Sequence, residues 1–490
     1  MRDLRLNLSR TALTRRRTKI VATIGPSSSS DAMVEQLITA GVNVFRLNFS
    51  HGTHQGHAEN IDRIRRIAAK LGSNTAILGD LCGPKIRVGL FAGGGIELVH
   101  GAKISVTTRE VEGHAELIQS QYDDLAKDVS PGDRILLDDG KLELRVLTTD
   151  KSTELTCEVI YAGRLSNKKG MNLPGVKVSA PALTDKDRED AQFAAAHGVD
   201  FLALSFVRAA ADVAQLRAHL EQLGHPDMPI IAKIEKPEAI TAIEEIVDCT
   251  EGIMVARGDL GVEMPAEEVP LLQNELIRLA IEKNRPVIVA TQMLESMIES
   301  ARPTRAEVTD VAAAAMARAD AVMLSAETAA GKHPVEAVAT MDRILRLVEG
   351  YQYVHGEHGR VRLHTNQGEN AGDASEALSR ATSLLSSDLA VRAIIVPTRS
   401  GRSARLVSAE RPAAPVIALA SDERLCRRLS LSWGVTTQLA SREALADPRK
   451  AARDVVKTLG LAQPGQSVLL VWDASPSAER VEPTVSILHA

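Results

Sequence analysis

Short apolar runs alternate with amphipathic stretches over much of the first 350 residues. The runs at 229–235 (PIIAKIE) and 252–259 (GIMVARGD) end in charged residues, and EAITAIEEIVD between them carries apolar residues at helical spacing. This pattern predicts a strand, a helix and a strand. Residues just past the carboxyl ends of parallel strands face one crevice, so we expect Lys233, Glu235 and Asp259 to converge there.

The alternation predicts a (β/α)8 barrel. Counting from TKIVATIG, eight apolar runs are each followed by an amphipathic helix, except where a β-rich stretch interrupts the order. Eight such units over roughly 250 residues match the barrel expectation, and the polar residues at the strand ends lie where that fold keeps its active site. An open doubly wound sheet is the alternative, which the count of eight disfavours.

Two further regions depart from the barrel pattern. The first consists of short β runs with turn signals, which predict an inserted all-β domain. The second is a weakly periodic, His- and Gly-rich linker, after which alternation resumes as a smaller α/β domain. The predicted boundaries are 1–17 for a solvated N-terminal arm, 18–88 and 184–350 for the barrel, 89–183 for the insert, 351–372 for the linker and 373–490 for the C-terminal domain.

Composition limits the kinds of partner that the chain could bind and the cellular compartment that it could occupy. With 58 Lys and Arg against 63 Asp and Glu, the net charge of -5 gives no basic field for nucleic acid. The four cysteines lack the spacing of a zinc site or a disulfide framework, which favours a reducing cytosol. No apolar run approaches the roughly 20 residues of a membrane span. The Arg- and Ser-rich start could be a transit peptide, but it is short, and an arm is favoured.

The carboxylates of the opening unit favour a divalent metal. Glu235 and Asp259 suit Mg²⁺, which takes one or two carboxylates and leaves its other positions to water and substrate oxygens. The alternative is a surface ion pair with Lys233 or Lys236. Apolar neighbours on both sides predict a confined Lys233, and a confined lysine beside a metal can neutralise a transferring phosphoryl group.

Other strand ends carry groups suited to anionic substrates. Arg46 and Arg87 can make bidentate phosphate contacts, although each alone could be a surface charge. Gly258 lets the backbone approach a ligand and present its N–H groups. Thr291 and Ser325 follow the last two strands, where hydroxyls can equally serve as caps or core groups.

Eight segments together resemble the pyruvate kinase family from about Thr18 onward. In chain order they are TKIVATIGPSS, FRLNFSHG, GPKIR, NKKGMNLPG, AKIEKPE, MVARGDLGVE, TQMLESM and AVMLSAETAAGKHP. The resemblance implies a barrel with a β lid inserted after the third strand and a C-terminal regulatory domain. It also implies phosphoryl transfer from phosphoenolpyruvate to ADP, a cytoplasmic location and a homotetramer.

The resemblance implies a role for each matching residue. The metal, Mg²⁺ with Mn²⁺ as the alternative, would be held by Glu235 and Asp259. Catalysis would involve Lys233, Arg46, Thr291 and Ser325, with Ser325 a candidate for the proton relay to the enolate. Substrate binding would fall to Arg46, Lys233, Gly258, Asp259 and Thr291, nucleotide binding to Arg87, Lys169 and His51, and help in closing the lid to Asp138 or Asp139.

One departure concerns the monovalent cation. In the common form of the family, the residues at Asn48, Ser50, Asp80 and Leu81 hold K⁺, and the motif after Asp80 reads Thr-Lys-Gly-Pro-Glu. Here it reads LCGPK, with Lys85 at the Glu position. This resembles the branch that works without K⁺, because a tethered ammonium can supply the same charge. We therefore expect no K⁺ requirement.

The other departure lies at the C-terminus. Thr398, Arg399, Ser400, Gly401, Arg402 and Ser403 match the family's effector loop and open a helix after a strand, a suitable phosphate cradle. The glycine-rich terminal loop that closes over fructose 1,6-bisphosphate is replaced by WDASPSAERVEPT, so a different phosphorylated effector, or none, is expected.

Two rival functions make different demands on the sequence. A lyase or aldolase acting on pyruvate needs the metal pair but no nucleotide, which leaves NKKG and Arg87 without a role. A non-catalytic relative that only binds an effector predicts the loss of Lys233 or a metal carboxylate, and both kinds of residue are present.

Overall fold

The strands are short and mostly buried, and most consist of β-branched and other apolar residues. The computed structural model describes residues 12–357, 359, 373–473 and 482–489. In chain order, the strands are β1 (Lys19–Thr23), β2 (Val44–Asn48), β3 (Ala76–Asp80), β4 (Gly95–Leu98), β5 (Lys103–Thr107), β6 (Leu117–Gln119), β7 (Arg134–Leu137), β8 (Leu142–Thr149), β9 (Glu154–Tyr161), β10 (Gly163–Ser166), β11 (Met171–Asn172), β12 (Phe201–Leu204), β13 (Ile230–Ile234), β14 (Gly252–Ala256), β15 (Val287–Ala290), β16 (Ala321–Leu324), β17 (Ile394–Pro397), β18 (Val416–Ala420), β19 (Val435–Leu439), β20 (Ser467–Asp473) and β21 (Pro483–His489).

The helices begin and end where caps and breakers predict. Ser30, for example, accepts a hydrogen bond from the Met33 N–H, and Gly41 ends the same helix at φ 116°. The α-helices are α1 (Asp31–Ala40), α2 (His54–Lys70), α3 (Leu125–Asp128), α4 (Asp185–Ala196), α5 (Ala210–Gln222), α6 (Pro237–Thr241), α7 (Ile243–Cys249), α8 (Arg257–Glu263), α9 (Val269–Glu282), α10 (Arg305–Met316), α11 (Ala326–Ala329), α12 (Pro334–Val354), α13 (Ala374–Asp388), α14 (Arg402–Ala409), α15 (Glu423–Leu429), α16 (Arg442–Ala446) and α17 (Pro448–Thr458).

Eight strands close into a parallel barrel in the order β1-β16-β15-β14-β13-β12-β3-β2. Residues such as Ile20, Phe45 and Leu202 belong to the buried apolar core of the barrel, against which the helices pack. Closure brings the carboxyl ends of all eight strands to one rim. The predicted (β/α)8 fold is therefore confirmed, and the open-sheet alternative is wrong.

The lid lies in the chain between β3 and β12. Its six-stranded sheet has the order β11-β7-β8-β9-β5-β6, and β4 pairs with β10 in a second sheet. The lid has its own apolar core, which includes Val106, Leu144 and Val159. The inserted β domain is thus confirmed, with the short α-helix α3 and a 3-10 turn at Ala92–Gly94 added to it.

The C-terminal domain is a five-stranded sheet in the order β19-β18-β17-β20-β21. Its pairings are parallel except for that of β20 with β21. This confirms the predicted smaller α/β domain. No helix in the described ranges is long and apolar enough to cross a membrane.

Three local predictions are corrected. The end of the N-terminal arm is not a free solvated segment: Arg16 pairs with Asp342 at 2.7 Å and the Arg17 N–H donates to the buried Glu349 at 2.6 Å, because α12 presents both carboxylates to it. The expected linker begins inside α12, and most of the rest of it lies outside the described residues. The helix predicted between the two opening strands is divided at Ala242 into α6 and α7.

Candidate functional site

A buried lysine lies at the centre of the carboxyl rim of the barrel. Lys233, on β13, places its Nζ 2.9 Å from Glu235 Oε1 and 3.3 Å from Asp80 Oδ1, and donates to Ser205 Oγ at 2.8 Å. The contact with Asp80 is an ion pair without hydrogen-bond geometry. Burial lowers the pKa of Lys233, but the charges of Asp80 and Glu235 outweigh burial and raise the pKa above its ordinary value. The ammonium therefore remains charged at any working pH.

Asp80 positions a second cation beside the lysine. Arg46 Nε lies 2.6 Å from Asp80 Oδ2, and Arg46 Nη1 donates to Thr23 Oγ1 at 3.1 Å. Burial raises the pKa of Asp80, but the charges of Lys233 and Arg46 outweigh it and hold the pKa below its usual value. One buried carboxylate thus holds two cations in place on neighbouring sides of the crevice.

Two carboxylates of this site carry negative charge that is incompletely balanced. Glu235 is buried and accepts a hydrogen bond from the Phe206 N–H at 2.8 Å. Burial raises the pKa of Glu235, and the charge of Asp259, in the first turn of α8, raises it further. Of the two alternative pairings, the one with Lys236 is absent, because that lysine pairs with Glu263 at 2.6 Å. The one with Lys233 is present, but it is buried and is not a surface ion pair. Among the described residues, no group of three or more His, Cys, Asp or Glu could hold a metal.

A close backbone contact joins the strand ends of β14 and β15. The Gly258 N–H donates to Thr291 Oγ1 at 2.7 Å, and that hydroxyl donates to the Ala290 carbonyl at 2.6 Å. Thr291 has φ 70°, a conformation that costs a β-branched residue energy and marks a constrained site. A Cβ on Gly258 would lie 3.2 Å from Thr291 Oγ1, so this approach favours glycine.

These loops open into a cavity of about 610 Å³ between the barrel and the lid. Lid residue Asp139 and rim residues Lys85, Asp259 and Thr291 line it, together with Ser325. The Ser325 N–H donates to Glu327 Oε2 at 2.7 Å. The cavity therefore brings together residues predicted from four separate strand ends and one lid turn.

The predicted nucleotide residues lie along the lid side of the crevice. Lys169 Nζ pairs with Asp138 Oδ1 at 2.8 Å, and Arg87 Nη1 donates to the Lys168 carbonyl at 3.2 Å. His51 is exposed, and its pKa is lowered by partial burial and then by the charges of Arg87, Lys85 and Arg46. His51 and Arg87 thus share one positive region, whereas Lys169 is held by an acid of its own lid.

The residues of the family K⁺ site are partly engaged with the protein. The Ser50 N–H donates to Asn48 Oδ1 at 3.1 Å, and the Leu81 carbonyl accepts from Ser205 Oγ at 2.7 Å. Lys85 is exposed and has no ion pair with a carboxylate in the described part of the chain. It nonetheless lines the cavity, so its positive charge acts on whatever binds there.

The predicted effector loop belongs to the C-terminal domain. Gly401 has φ 81° and its N–H donates to Thr398 Oγ1 at 2.9 Å, which shapes the turn into α14. Arg402 pairs with Asp373, and the Arg402 N–H donates to Ser400 Oγ at 3.4 Å. Arg399 and Ser403 lie within the same stretch, and none of the residues of this loop is among those that line the barrel cavity.

Sequence reasoning missed Ser205, which contacts both Lys233 and the Leu81 carbonyl. The apolar run VDFLALSFV predicts a strand that continues to Arg208, but β12 ends at Leu204 and Phe206 has φ 55°. Ser205 is the first polar residue after that strand. The rule that singled out the other strand ends would have found it had the strand end been placed correctly.

Comparison with known proteins agrees with this site and fold. The barrel domain of pyruvate kinase matches residues 15–338, and the pyruvate kinase alpha/beta domain matches residues 376–481. A pyruvate kinase of Sporosarcina psychrophila is 48% identical over 422 residues, which cover 86% of this chain and 71% of the relative. A pyruvate kinase of Corynebacterium glutamicum is 44% identical over 470 residues, which cover 94% and 95%.

A solved structure extends the similarity to three dimensions. A crystal structure of a pyruvate kinase from Cryptosporidium parvum superimposes with a TM-score of 0.87 at 35% identity, covering 97% of this chain and 96% of that one. The two matched domains together span most of the chain. This chain therefore belongs to the pyruvate kinase family.

Proposed function

We propose that the residues at the carboxyl rim carry out the reaction of this family, with Lys233 as the central catalytic residue. The chain is an enzyme that transfers the phosphoryl group of phosphoenolpyruvate to ADP and yields pyruvate and ATP. The observation that carries the assignment is a buried lysine kept charged by two carboxylates, at 2.9 and 3.3 Å, beside an arginine held by one of them.

Lys233 and Arg46 place positive charge beside the phosphoryl group while it is transferred. A transferring phosphoryl spreads negative charge over its oxygens, so catalysis depends on positioned cations. Asp80 fixes both cations before substrate arrives, which removes the cost of reorganising them during the reaction. Lys233 also neutralises the enolate that forms as the phosphoryl leaves, and Arg46 contacts the phosphoryl itself.

Glu235 and Asp259 are the proposed ligands of the Mg²⁺ that pyruvate kinases generally use, with Mn²⁺ as the alternative. The raised pKa of Glu235, caused by burial and by Asp259, indicates negative charge that a divalent cation would balance. Two carboxylates with open positions for water and substrate oxygens suit this ion. When bound, the cation neutralises charge on the substrate oxygens that it contacts.

The remaining rim and lid residues position the substrates. Thr291 and the N–H groups of Gly258 and Asp259 receive the substrate carboxylate, with the Thr291 hydroxyl turning from the Ala290 carbonyl to do so. Ser325 is the proposed relay that delivers a proton to the enolate, since it lines the same cavity.

On the lid side, Arg87, Lys169 and His51 contact the nucleotide phosphates. Lys169 is held by Asp138 at 2.8 Å, so nucleotide binding would exchange one anionic partner for another. Closure of the lid over the crevice would exclude water and favour transfer over hydrolysis.

Replacing the lysine tests the assignment. In an assay of phosphoenolpyruvate-dependent ATP formation from ADP, Lys233→Met should lower kcat by about 10²–10³, the usual effect of removing one preorganised charge-stabilising group. Lys332→Met is the matched control, because Lys332 lies on the barrel surface with 66% of its side chain exposed. Phosphoryl transfer at the wild-type rate by Lys233→Met would contradict the proposed mechanism.

We propose further that the enzyme needs no K⁺, with Lys85 supplying the charge. The expected result is equal ATP formation in buffers containing K⁺ or only Na⁺. Lys85→Glu should be slower by about tenfold in Na⁺ and should recover when K⁺ is added, because the reversed charge restores the demand for a cation. Wild-type activity that collapses in Na⁺ and returns with K⁺ would refute the proposal.

Regulation and assembly are also proposals. The loop from Thr398 to Ser403 would bind a phosphorylated effector other than fructose 1,6-bisphosphate, since its N–H groups open α14 and Arg402 lies within it. The homotetramer and the cytoplasmic location follow from the family. Sedimentation of the purified chain tests the first of these, and fractionation of cells tests the second.

A further inference from the structure

Four arginines gather at the amino end of the barrel strands, where the C-terminal domain meets the barrel. Arg65 comes from α2, and Arg424, Arg427 and Arg428 come from α15. Two of them hold the buried Asp200, which immediately precedes β12: Arg65 Nη2 lies 2.7 Å from Oδ2 and Arg427 Nε lies 2.9 Å from Oδ1. A backbone N–H of β3 also donates to Oδ2 at 2.9 Å, so this carboxylate is fully used.

The other two arginines have donors without acceptors. The Nε atoms of Arg424 and Arg428 and Nη2 of Arg428 are buried, and no described residue accepts a hydrogen bond from them. Nor does any described carboxylate lie within 4.0 Å of either guanidinium. A buried donor left unsatisfied destabilises the fold, and more so when it is charged. Such a cost is expected where a ligand completes the site.

The acids around these arginines do not satisfy them. Both carboxylate oxygens of Asp422 accept backbone N–H groups at the start of α15. Glu423 is 74% exposed and lies nearest to Arg427, at 3.8 Å, and Asp227 is exposed on the barrel surface. The positive charge of the pair is therefore balanced only by solvated or already engaged acids.

Spacing on the helix brings the two unsatisfied groups together. Arg424 and Arg428 are four residues apart, so they lie on one face of α15. Burial lowers the pKa of Arg428, and the neighbouring charge of Arg424 lowers it further. Two like charges held close together at a domain junction are unfavourable unless an anion joins them.

We propose that Arg424 and Arg428 form a binding site for the phosphate group of a small molecule, at the junction of the C-terminal domain and the barrel. Planar guanidinium groups match phosphate oxygens in bidentate geometry, and two of them on one helix face can share a single phosphate. The site is distinct from the loop at Thr398–Ser403, which opens a different helix. Through Arg427 and Asp200, the bound anion would strengthen the attachment of α15 to the barrel.

Phosphate-dependent stabilisation of the full chain tests the site. Thermal unfolding is followed at increasing inorganic phosphate, with NaCl added to hold ionic strength constant, for wild type, Arg424→Gln/Arg428→Gln and Arg402→Gln. Phosphate bound at the active site contributes equally to all three proteins. The double variant should need at least about tenfold more phosphate for half of the wild-type rise in Tm, because it loses the charge-assisted contacts of both guanidinium groups. Arg402→Gln removes any phosphate binding at the proposed effector loop, and it should keep the part of the response that the double variant loses.

Three results would overturn the proposal. The first is an unchanged phosphate response in the double variant. The second is loss of the response in Arg402→Gln alone, which would place the anion at the effector loop. The third is a change in the sedimenting mass of the double variant in NaCl, which would mean that the arginines contact another copy of the chain. If the double variant fails to fold, Arg424→Lys/Arg428→Lys replaces it, and the proposal then requires a weakened response because lysine cannot make the bidentate contacts.

Discussion

Two buried lysines, at opposite ends of the barrel, carry opposite pKa shifts. Lys233, at the carboxyl rim, contacts Glu235 and Asp80, and its pKa is raised. Lys19 begins β1 at the amino end, where its Nζ donates to the Val435 carbonyl at 2.5 Å, and burial lowers its pKa to about 7. Burial alone therefore does not decide the charge of a lysine in this protein. The carboxylates within reach decide it.

The same two ends differ in how they use a buried aspartate. Asp80 ends β3 at the rim and holds Arg46 and Lys233, the two cations on which the proposed reaction depends. Asp200 precedes β12 at the other end and holds Arg65 and Arg427, which join the barrel to the C-terminal domain. One arrangement thus holds the cations of the proposed active site, and the other joins two domains.

The largest expected effect is on stability, from Asp200→Ala. Removing this carboxylate leaves two partly buried arginines without their anion, so the free energy of unfolding should fall by about 3–5 kcal/mol. Urea unfolding followed by circular dichroism measures the change, and the loss should concentrate in the C-terminal domain and its contact with the barrel. Asp227→Ala, at an exposed position, should change stability by less than about 0.5 kcal/mol. Equal effects of the two substitutions would remove the distinction between the barrel ends.

The next effect is on catalysis, from Asp80→Asn. The amide keeps the shape of the side chain but no longer holds Arg46 and Lys233 by charge, so kcat should fall by about 10²–10³. Steady-state ATP formation measures kcat, and circular dichroism determines the fraction of protein that is folded. If Asp80→Asn instead unfolds the chain while the folded fraction keeps the wild-type kcat, Asp80 is a structural residue like Asp200.

Strand-end reasoning could predict much of the rim, because it depends only on local pattern. Lys233, Glu235 and Arg46 all lie at the carboxyl ends of strands that the apolar runs predict well. In a barrel, those ends must meet wherever the sequence places the intervening helices. The fold therefore turns a set of separate local predictions into one site.

The amino end of the barrel offers no such rule. No sequence pattern pairs Asp200 with Arg427, although Asp200 Oδ1 and Arg427 Nε lie 2.9 Å apart in the structure. Their contact depends on how the C-terminal domain docks on the barrel, and that docking leaves no periodic signal in the sequence. Ser205 was missed for a smaller reason, the misplaced end of β12.

The comparison of the two lysines predicts a pH effect. The pKa of Lys19 falls from 10.5 to about 7 on folding, so between these values the unfolded chain binds one proton more than the folded chain at this position. The free energy of unfolding contributed by Lys19 should therefore rise with pH, by up to about 1.4 kcal/mol per unit. Lys19→Met removes this rise. In urea unfolding, the free energy of unfolding of wild type minus that of Lys19→Met should therefore grow from pH 7 to pH 9. For Lys332→Met, at an exposed position, the difference in free energy of unfolding from wild type should not change with pH. If the difference for Lys19→Met also does not change with pH, Lys19 is not neutral when folded.

The smallest expected effect concerns Ser205, an uncharged partner of Lys233. Ser205 Oγ accepts from Lys233 Nζ at 2.8 Å and donates to the Leu81 carbonyl at 2.7 Å, so it aims the ammonium without adding charge. Ser205→Ala should lower kcat by about tenfold, since one hydrogen bond to a charged group contributes about 1.5–3 kcal/mol and the two carboxylates still hold the lysine. Ser205→Thr keeps the hydroxyl and should recover part of the rate. A loss confined to KM, or a Thr variant as slow as the Ala variant, would show that the serine packs the crevice rather than positioning the lysine.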